Sequence, residues 1–288
     1  MFKEYKFNMN EDIGAITDIN FLCHNIYLRH KAKIDNIKSK EQRLVINQYF
    51  TVLNELSSQA CDSLKSNRLS VVEVLTRVII EQSANQNYIA IDNGKNAQSL
   101  LRDSKKMLIK NGENWLSYLQ SKGFENPAAQ ERIRLGKQLV EHFNDKWPDA
   151  PPYPGVKRLF QAIEWENPYH SYYVPLCDSV HSFSDDMVNL IALSDRESST
   201  RNSAINFMMQ ENKRLAIYNL ASATYLRCLS LGNSFIASGF DEIIQEIMPA
   251  MDGLAQIINR NDEYDHSRTG IQIISATLMD EWREVANC

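Results

Sequence analysis

At 288 residues, with 43% hydrophobic side chains and 10 glycines and 8 prolines in all, the chain is long enough to bury a substantial core, which excludes disorder as its default state. A formal charge of −5 and a pI near 5.7 argue against a protein that coats nucleic acid or anionic membrane through its whole surface. The opening stretch "MFKEYKFNMNEDIGA" has no apolar h-region, and no later stretch approaches the roughly 18 apolar residues that span a bilayer, so the expectation is a soluble, cytosolic protein without membrane contact.

Apolar residues recur at spacings of three and four along most of the chain and β-branched alternation is almost absent, which predicts an all-α fold of about ten helices in one orthogonal or bundle-like domain over 1–288. The first two helices are expected over Asp18–Ile37 and Lys40–Lys65, the second carrying Leu44, Ile46, Phe50, Leu53 and Leu56 on or beside one face. A third, capped by Asn67 or Ser70, runs to about Asp92, where "DNGKN" stops it, and is expected to be central. Ala97–Lys110 follows, then a break at "NGEN" and a short helix from Trp115 to Lys122 ended by Gly123. Pro127 suits the first turn of a helix reaching about Asn144, and "WPDAPPYPG" (147–155) reads as an ordered crossover loop. Val156–Trp165 is a short amphipathic helix, and Pro175 in the segment after it marks a bend or a start. After the polar stretch 193–203 come two long helices, Ala204–Leu231 and Phe235–Asn259, the second interrupted at Pro249, and a last one over about Gly270–Val285. Residues 204–288 are read as a C-terminal helical layer, whose apolar faces at 204–259 suggest a homodimer.

Five cysteines, Cys23, Cys61, Cys177, Cys228 and Cys288, are scattered without a C-x-x-C pair, as expected of reduced core thiols rather than a disulfide framework or a zinc site. The third helix holds a polar stripe: Glu73, Arg77, Glu81, Asn85 and Tyr88 fall on one face, with Val71, Val74, Leu75, Val78 and Ile79 beside them. Facing water, such a stripe adds only about 0.3 to 0.5 kcal/mol per pair. Facing inward, Arg77 and Glu81 must satisfy each other and find further partners. A second stripe supplies them: Tyr173, Cys177, His181 and Asp185 recur every four residues. A cysteine, histidine and aspartate so spaced also suit a metal in principle, but such triples arise readily by chance in a helical chain, and the expectation is no metal and no cofactor.

Arg77, Glu81 and Tyr88, followed some ninety residues later by the aromatic-rich "YHSYYVPLCDSVHSFS", resemble the bacterial helical family known as domain of unknown function 5677, over about residues 50–190. The resemblance implies a family-like core with Arg and Glu on one helix and Tyr, His and Ser on another. The matching residues are Arg77, Glu81, Tyr173, His181 and Ser182, and Cys177 stands where relatives usually have serine, which weakens any serine-based chemistry there. It implies no established activity; by family association it suggests a phage-defence or mobile-element setting and a role in binding an unknown small molecule or protein partner.

A competing enzymatic reading comes from "RNDEYDH", in which Arg260 and Asn261 lead to His266. This is similar to the R-x(4-6)-H signature of HEPN ribonucleases, where arginine stabilises the phosphate and histidine is a metal-independent general acid or base. Local basic stretches could meet RNA phosphates: Arg29–Arg43, read as a basic helix, carries six Lys/Arg against two acids, and 102–110 carries four against one. No P-loop, dinucleotide fingerprint or nucleophile elbow is present in the sequence.

Overall fold

The computed structural model describes residues 7–177, 191 and 198–269, and among these it contains nine helices and no strand. The first, α1 (Met9–Ile34), begins well before the expected Asp18: Asn8 caps it, its side chain accepting from the Glu11 N–H and donating to the Glu11 carboxylate at 2.8 Å. This reciprocal cap, with Glu11 and Asp12 facing the positive end of the helix dipole, makes a polar stretch helical. Residues 29–43 are not one helix, because α1 ends at Ile34 and Ser39 starts α2 (Lys40–Lys65) by accepting from the Gln42 N–H. On α2 Leu44 is 58% exposed and Val45 is buried in its place.

Helix α3 (Leu69–Ala90) is the central element, packed between α2 and the long α8 (Ser198–Ile236), with every residue from Ser83 to Ala90 buried. Neither expected cap is used: Asn67 takes a left-handed turn at φ 55° that ends α2, and Ser70 lies inside α3. Its buried face is Val72, Thr76, Ile79, Ile80, Ser83 and Ala84, while Val71 and Val74 are exposed. The end of α3 is held by amides: Gln42 Nε2 donates to the carbonyls of Ile89 and Asp92, and Asn96 Nδ2 to that of Tyr88. Such bonds satisfy carbonyls that the helix itself leaves open.

Helix α4 (Lys95–Ser121) runs straight through "NGEN". Gly112 serves close packing there rather than a break, since a Cβ on it would stand 3.1 Å from Ile133 Cγ1 of α5 (Pro127–Lys146). Gly136 of α5 mirrors it, approaching Ile109 of α4 so closely that its Cβ would lie 2.9 Å from Ile109 Cγ1. The two helices form a hairpin whose second arm buries no residue, projecting from the bundle. The loop 147–155 is ordered as expected. Arg102 donates to the carbonyls of Ala150 (2.9 Å) and Pro151 (2.7 Å), and Asp103 accepts from the Tyr153 N–H at 2.7 Å. Arg102 is therefore a buried strut rather than part of a basic face.

Helix α6 (Val156–Ala162) leads into α7, which starts at Glu166–Pro168, passes through a π-helical turn at Tyr169–Tyr173 and continues over 174–177. In this turn the Val174 N–H donates to Tyr169 O, and Pro175, which has no N–H to offer, follows directly. The expected bend at Pro175 is this π turn. Helix α8 continues five residues past the expected Leu231, and Gly239 at φ 77° turns the chain into α9 (Ile243–Thr269), which continues through Pro249 without interruption. The apolar residues from Ala216 to Phe235 are largely spent inside the bundle, leaving Phe207 and Met209 as exposed apolar side chains near the start of α8. No helix among the described residues is long and apolar enough to cross a membrane. The expected helix over Gly270–Val285 lies outside the described residues.

Candidate functional site

The stripe on α3 faces α6, α7 and the 147–155 loop. Arg77 and Glu81, one turn apart on α3, meet Tyr173 and Cys177, one turn apart on α7. Arg77 Nε donates to Cys177 Sγ at 3.1 Å and its Nη2 to Tyr173 Oη at 3.2 Å, while Tyr173 Oη donates to Glu81 Oε2 at 2.9 Å. Arg77 and Glu81 approach each other only to 3.8 Å, so the tyrosine hydroxyl bridges them, accepting from the cation and donating to the anion. The arginine also lies over the Tyr173 ring, 5.4 Å from its centroid.

The π turn makes this geometry possible. It stacks Tyr169 on Tyr173 at 5.7 Å and sets Phe160 of α6 against both at 5.4 Å, so the buried Tyr173 ring is gripped and its hydroxyl aimed at α3. Burial, reinforced by the bond to Glu81, pushes the Tyr173 hydroxyl well above its ordinary range and keeps it protonated as a donor. The bond to Cys177, supported by Tyr173 and opposed by burial, holds the Arg77 guanidinium firmly protonated. Arg77 and Glu81 remain about a quarter exposed, at 24% and 28%. Among the described residues Arg77 Nη1 and Glu81 Oε1 have no hydrogen-bond partner, so the cluster presents one open donor beside one open acceptor.

The inner end of the stripe is closed. Asn85 is buried and accepts from the Tyr153 hydroxyl, and the Tyr153 ring meets Tyr88 edge-on at 5.9 Å. Burial raises the hydroxyls of Tyr49 and Tyr153, and the Glu81 charge raises both further. Tyr88 is raised by burial and then by Asp92. Tyr49 and Tyr153 thus belong to the surroundings of Glu81, although sequence reasoning passed over both. The aromatic residue inside the proline-dense loop was the available signal. His181, Ser182 and Asp185 lie outside the described residues.

The Arg260 region is built differently. Arg260 donates to the buried Asp12 of α1 at 2.6 Å, and burial pushes that carboxyl up against the pull of the arginine. Asn261 and Asp265 accept from Arg214 of α8 at 2.9 and 2.8 Å, and Asp262 accepts from Tyr218 at 2.7 Å. The stretch therefore bolts α9 to α8 and α1; the side chain of His266 lies outside the described residues. In the basic segment Arg29 and His30 both reach Glu246 at 2.8 Å, and Arg43 donates to the Asp35 carbonyl.

A family model matches residues 43–199, more than half of the chain. The chain belongs to the family of unknown function DUF5677. The DUF5677 span takes in α2 from Arg43 through α7, and with them Arg77, Glu81, Tyr173 and Cys177. Helices α1 and α9 and nearly all of α8 lie beyond it, although α8 covers α3. No curated protein and no solved structure matches the chain.

Proposed function

We propose that the Arg77–Glu81–Tyr173 cluster is the recognition site of a ligand-sensing or partner-binding protein, and that its ligand sets a negatively charged or acceptor group on Arg77 and a donor on Glu81. The observation that carries this reading is the pair of open positions, Arg77 Nη1 and Glu81 Oε1, beside a protonated tyrosine whose ring is locked by packing. A cluster serving only to join α3 to α7 would gain by closing its hydrogen bonds, as the Asn85–Tyr153 pair below it does. In this proposal His181 and Ser182 add donors from the chain that follows α7, and the basic residues of 29–43 recruit a partner. A bacterial cytosolic setting in phage defence or on a mobile element is proposed on family association alone.

Screening anionic and zwitterionic metabolites and nucleotides by thermal shift tests it. A hit should stabilise the wild type and lose at least tenfold in affinity with Arg77→Ala, whose own melting temperature stays within a few degrees of wild type. If Arg77→Ala unfolds the protein instead, the cluster is a structural buttress. The alternative, a metal-independent ribonuclease using Arg260 and His266, has less support, because Asp12 occupies Arg260 and the adjoining Asp262 and Asp265 make a poor neighbourhood for phosphate. Incubation with total RNA in EDTA separates the two: cleavage lost in a folded His266→Ala variant would replace the binding proposal with an enzyme.

A further inference from the structure

A second arginine, far along the chain from the cluster above, is in a more demanding position. Arg227 of α8 is only 5% exposed, yet among the described residues it has no carboxylate within ion-pairing distance. Its Nη1 donates to Asn20 Oδ1 of α1 at 2.7 Å and, more distantly, to the Asn20 carbonyl. Nε and Nη2 have no acceptor among the described residues. Arginine stays charged in any protein interior, so this is a nearly buried cation with no ion-pair partner among the described residues, an arrangement that is costly unless something supplies the charge.

Arg227 lines a cavity of about 120 Å³ between α1, α2 and α8. At about 30 Å³ for each water, that is room for roughly four waters or one small molecule. Its polar walls are already sorted into spent and free groups. Thr17 donates to the Ile13 carbonyl, and the Asn20 amide donates to Thr224 and to Ile16 O. Asn54 and Ser58 of α2 line the same cavity, and neither side chain has a hydrogen-bond partner among the described residues. The nearby thiols do not replace the missing anion. Burial raises Cys61 above its ordinary range; Cys23 is lowered to about 7 chiefly by its bond from Cys228 3.5 Å away, with a smaller pull from Arg227, and its hydrogen bond is to that thiol and not to the guanidinium.

We infer that the α1–α2–α8 cavity is a binding site for a short-chain carboxylate, whose oxygens take the open edge of the Arg227 guanidinium and the side-chain donors of Asn54 and Ser58. A carboxylate fits the planar fork of arginine in two parallel bonds. Two further wall residues set the class. Asp62 also lines the cavity and disfavours a doubly charged ion such as sulfate more than a singly charged carboxylate, while Phe21, 65% exposed, offers its ring to an alkyl tail. This site shares no residue with the Arg77 cluster.

Thermal melts of the full chain at about pH 6 test the inference with butyrate, acetate, sulfate and chloride at matched ionic strength. Butyrate should give a saturable rise in melting temperature, acetate a weaker one, and sulfate none beyond chloride. Asp62→Asn should tighten the apparent affinity for butyrate severalfold, Asn54→Leu should weaken it severalfold, and Arg227→Met should abolish the response. Should Arg227→Met fail to fold, the Asn54 and Asp62 variants still decide. The inference is overturned if butyrate acts no differently from chloride, if sulfate binds more tightly than butyrate, or if the response is unchanged in Asn54→Leu and Asp62→Asn.

Discussion

Arg77 and Arg214 sit in constellations of the same residue types, an arginine with acid and tyrosine neighbours joining a long helix to another, and yet the two differ in kind. Arg214 is 3% exposed; it donates to Asn261, Asp265 and Glu211 and lies 4.6 Å over the Tyr264 ring. Its charge is answered by two carboxylates inside the fold. Arg77 stands at the rim with one acid at 3.8 Å, a thiol and a tyrosine as partners, and an open Nη1. A buried arginine whose charge is answered by carboxylates holds helices together, whereas a partly exposed one with an unused donor open to solvent has interaction capacity left over for something outside the chain.

The largest expected effect breaks the buried side of this comparison. Arg214→Met removes a donor shared by Asn261, Glu211 and Asp265 and should cost about 3 kcal/mol in urea denaturation, with part of the loss recovered on adding Asp265→Asn. If Arg214→Met costs under 1 kcal/mol, burial and charge pairing do not separate the two arginines. Next in size is Arg102→Ala, which releases the Ala150 and Pro151 carbonyls and should cost about 1.5 to 3 kcal/mol, with faster amide exchange confined to residues near 147–155. Exchange rates there equal to wild type would contradict the strut role.

A smaller, pH-dependent effect comes from Asp103. Burial alone would raise this carboxyl, but donors from Arg102, Lys106 and the Tyr153 N–H hold it down at about 2. A lowered folded-state value means that the group stabilises the fold fully above the unfolded value of about 4 and ceases to do so as the pH falls through about 2. Wild-type stability should therefore decline more steeply between about pH 4 and 2 than that of Asp103→Asn. Identical slopes would remove the carboxylate from the loop's support. The smallest effect sharpens the exposed side: Arg77→Ala and Tyr173→Phe should each leave stability within about 1 kcal/mol for the ion-pair and hydrogen-bond contributions, and a double-mutant cycle should return a coupling of about 1 kcal/mol or less. A coupling of several kcal/mol would move Arg77 into the same class as Arg214.

Much of the candidate site was legible in the sequence because helical periodicity carries it. Residues four apart on α3 and four apart on α7 must share a face, so Arg77 with Glu81 and Tyr173 with Cys177 were paired before any tertiary information. Tyr153 and Tyr49 were not, since their approach depends on a loop and on the packing of α2, which no local repeat encodes. The basic stretches show the same limit. Arg102 reads as one charge on a solvated face, and only the carbonyls of a loop nearly fifty residues later make it an internal strut.

By itself the sequence determined the all-helical class, the central place of α3, the ordered proline-dense loop and the special bend near Pro175, because propensity, apolar spacing and proline stereochemistry act within a few residues. Tertiary structure decided what each local signal was for. Gly112 and Pro249 looked like breaks and are not, since a helix held by its neighbours tolerates a residue that an isolated one would not. Which arginine is answered and which is left open is likewise set by partners distant in sequence, a balance of desolvation against hydrogen bonding that exists only once the helices have met.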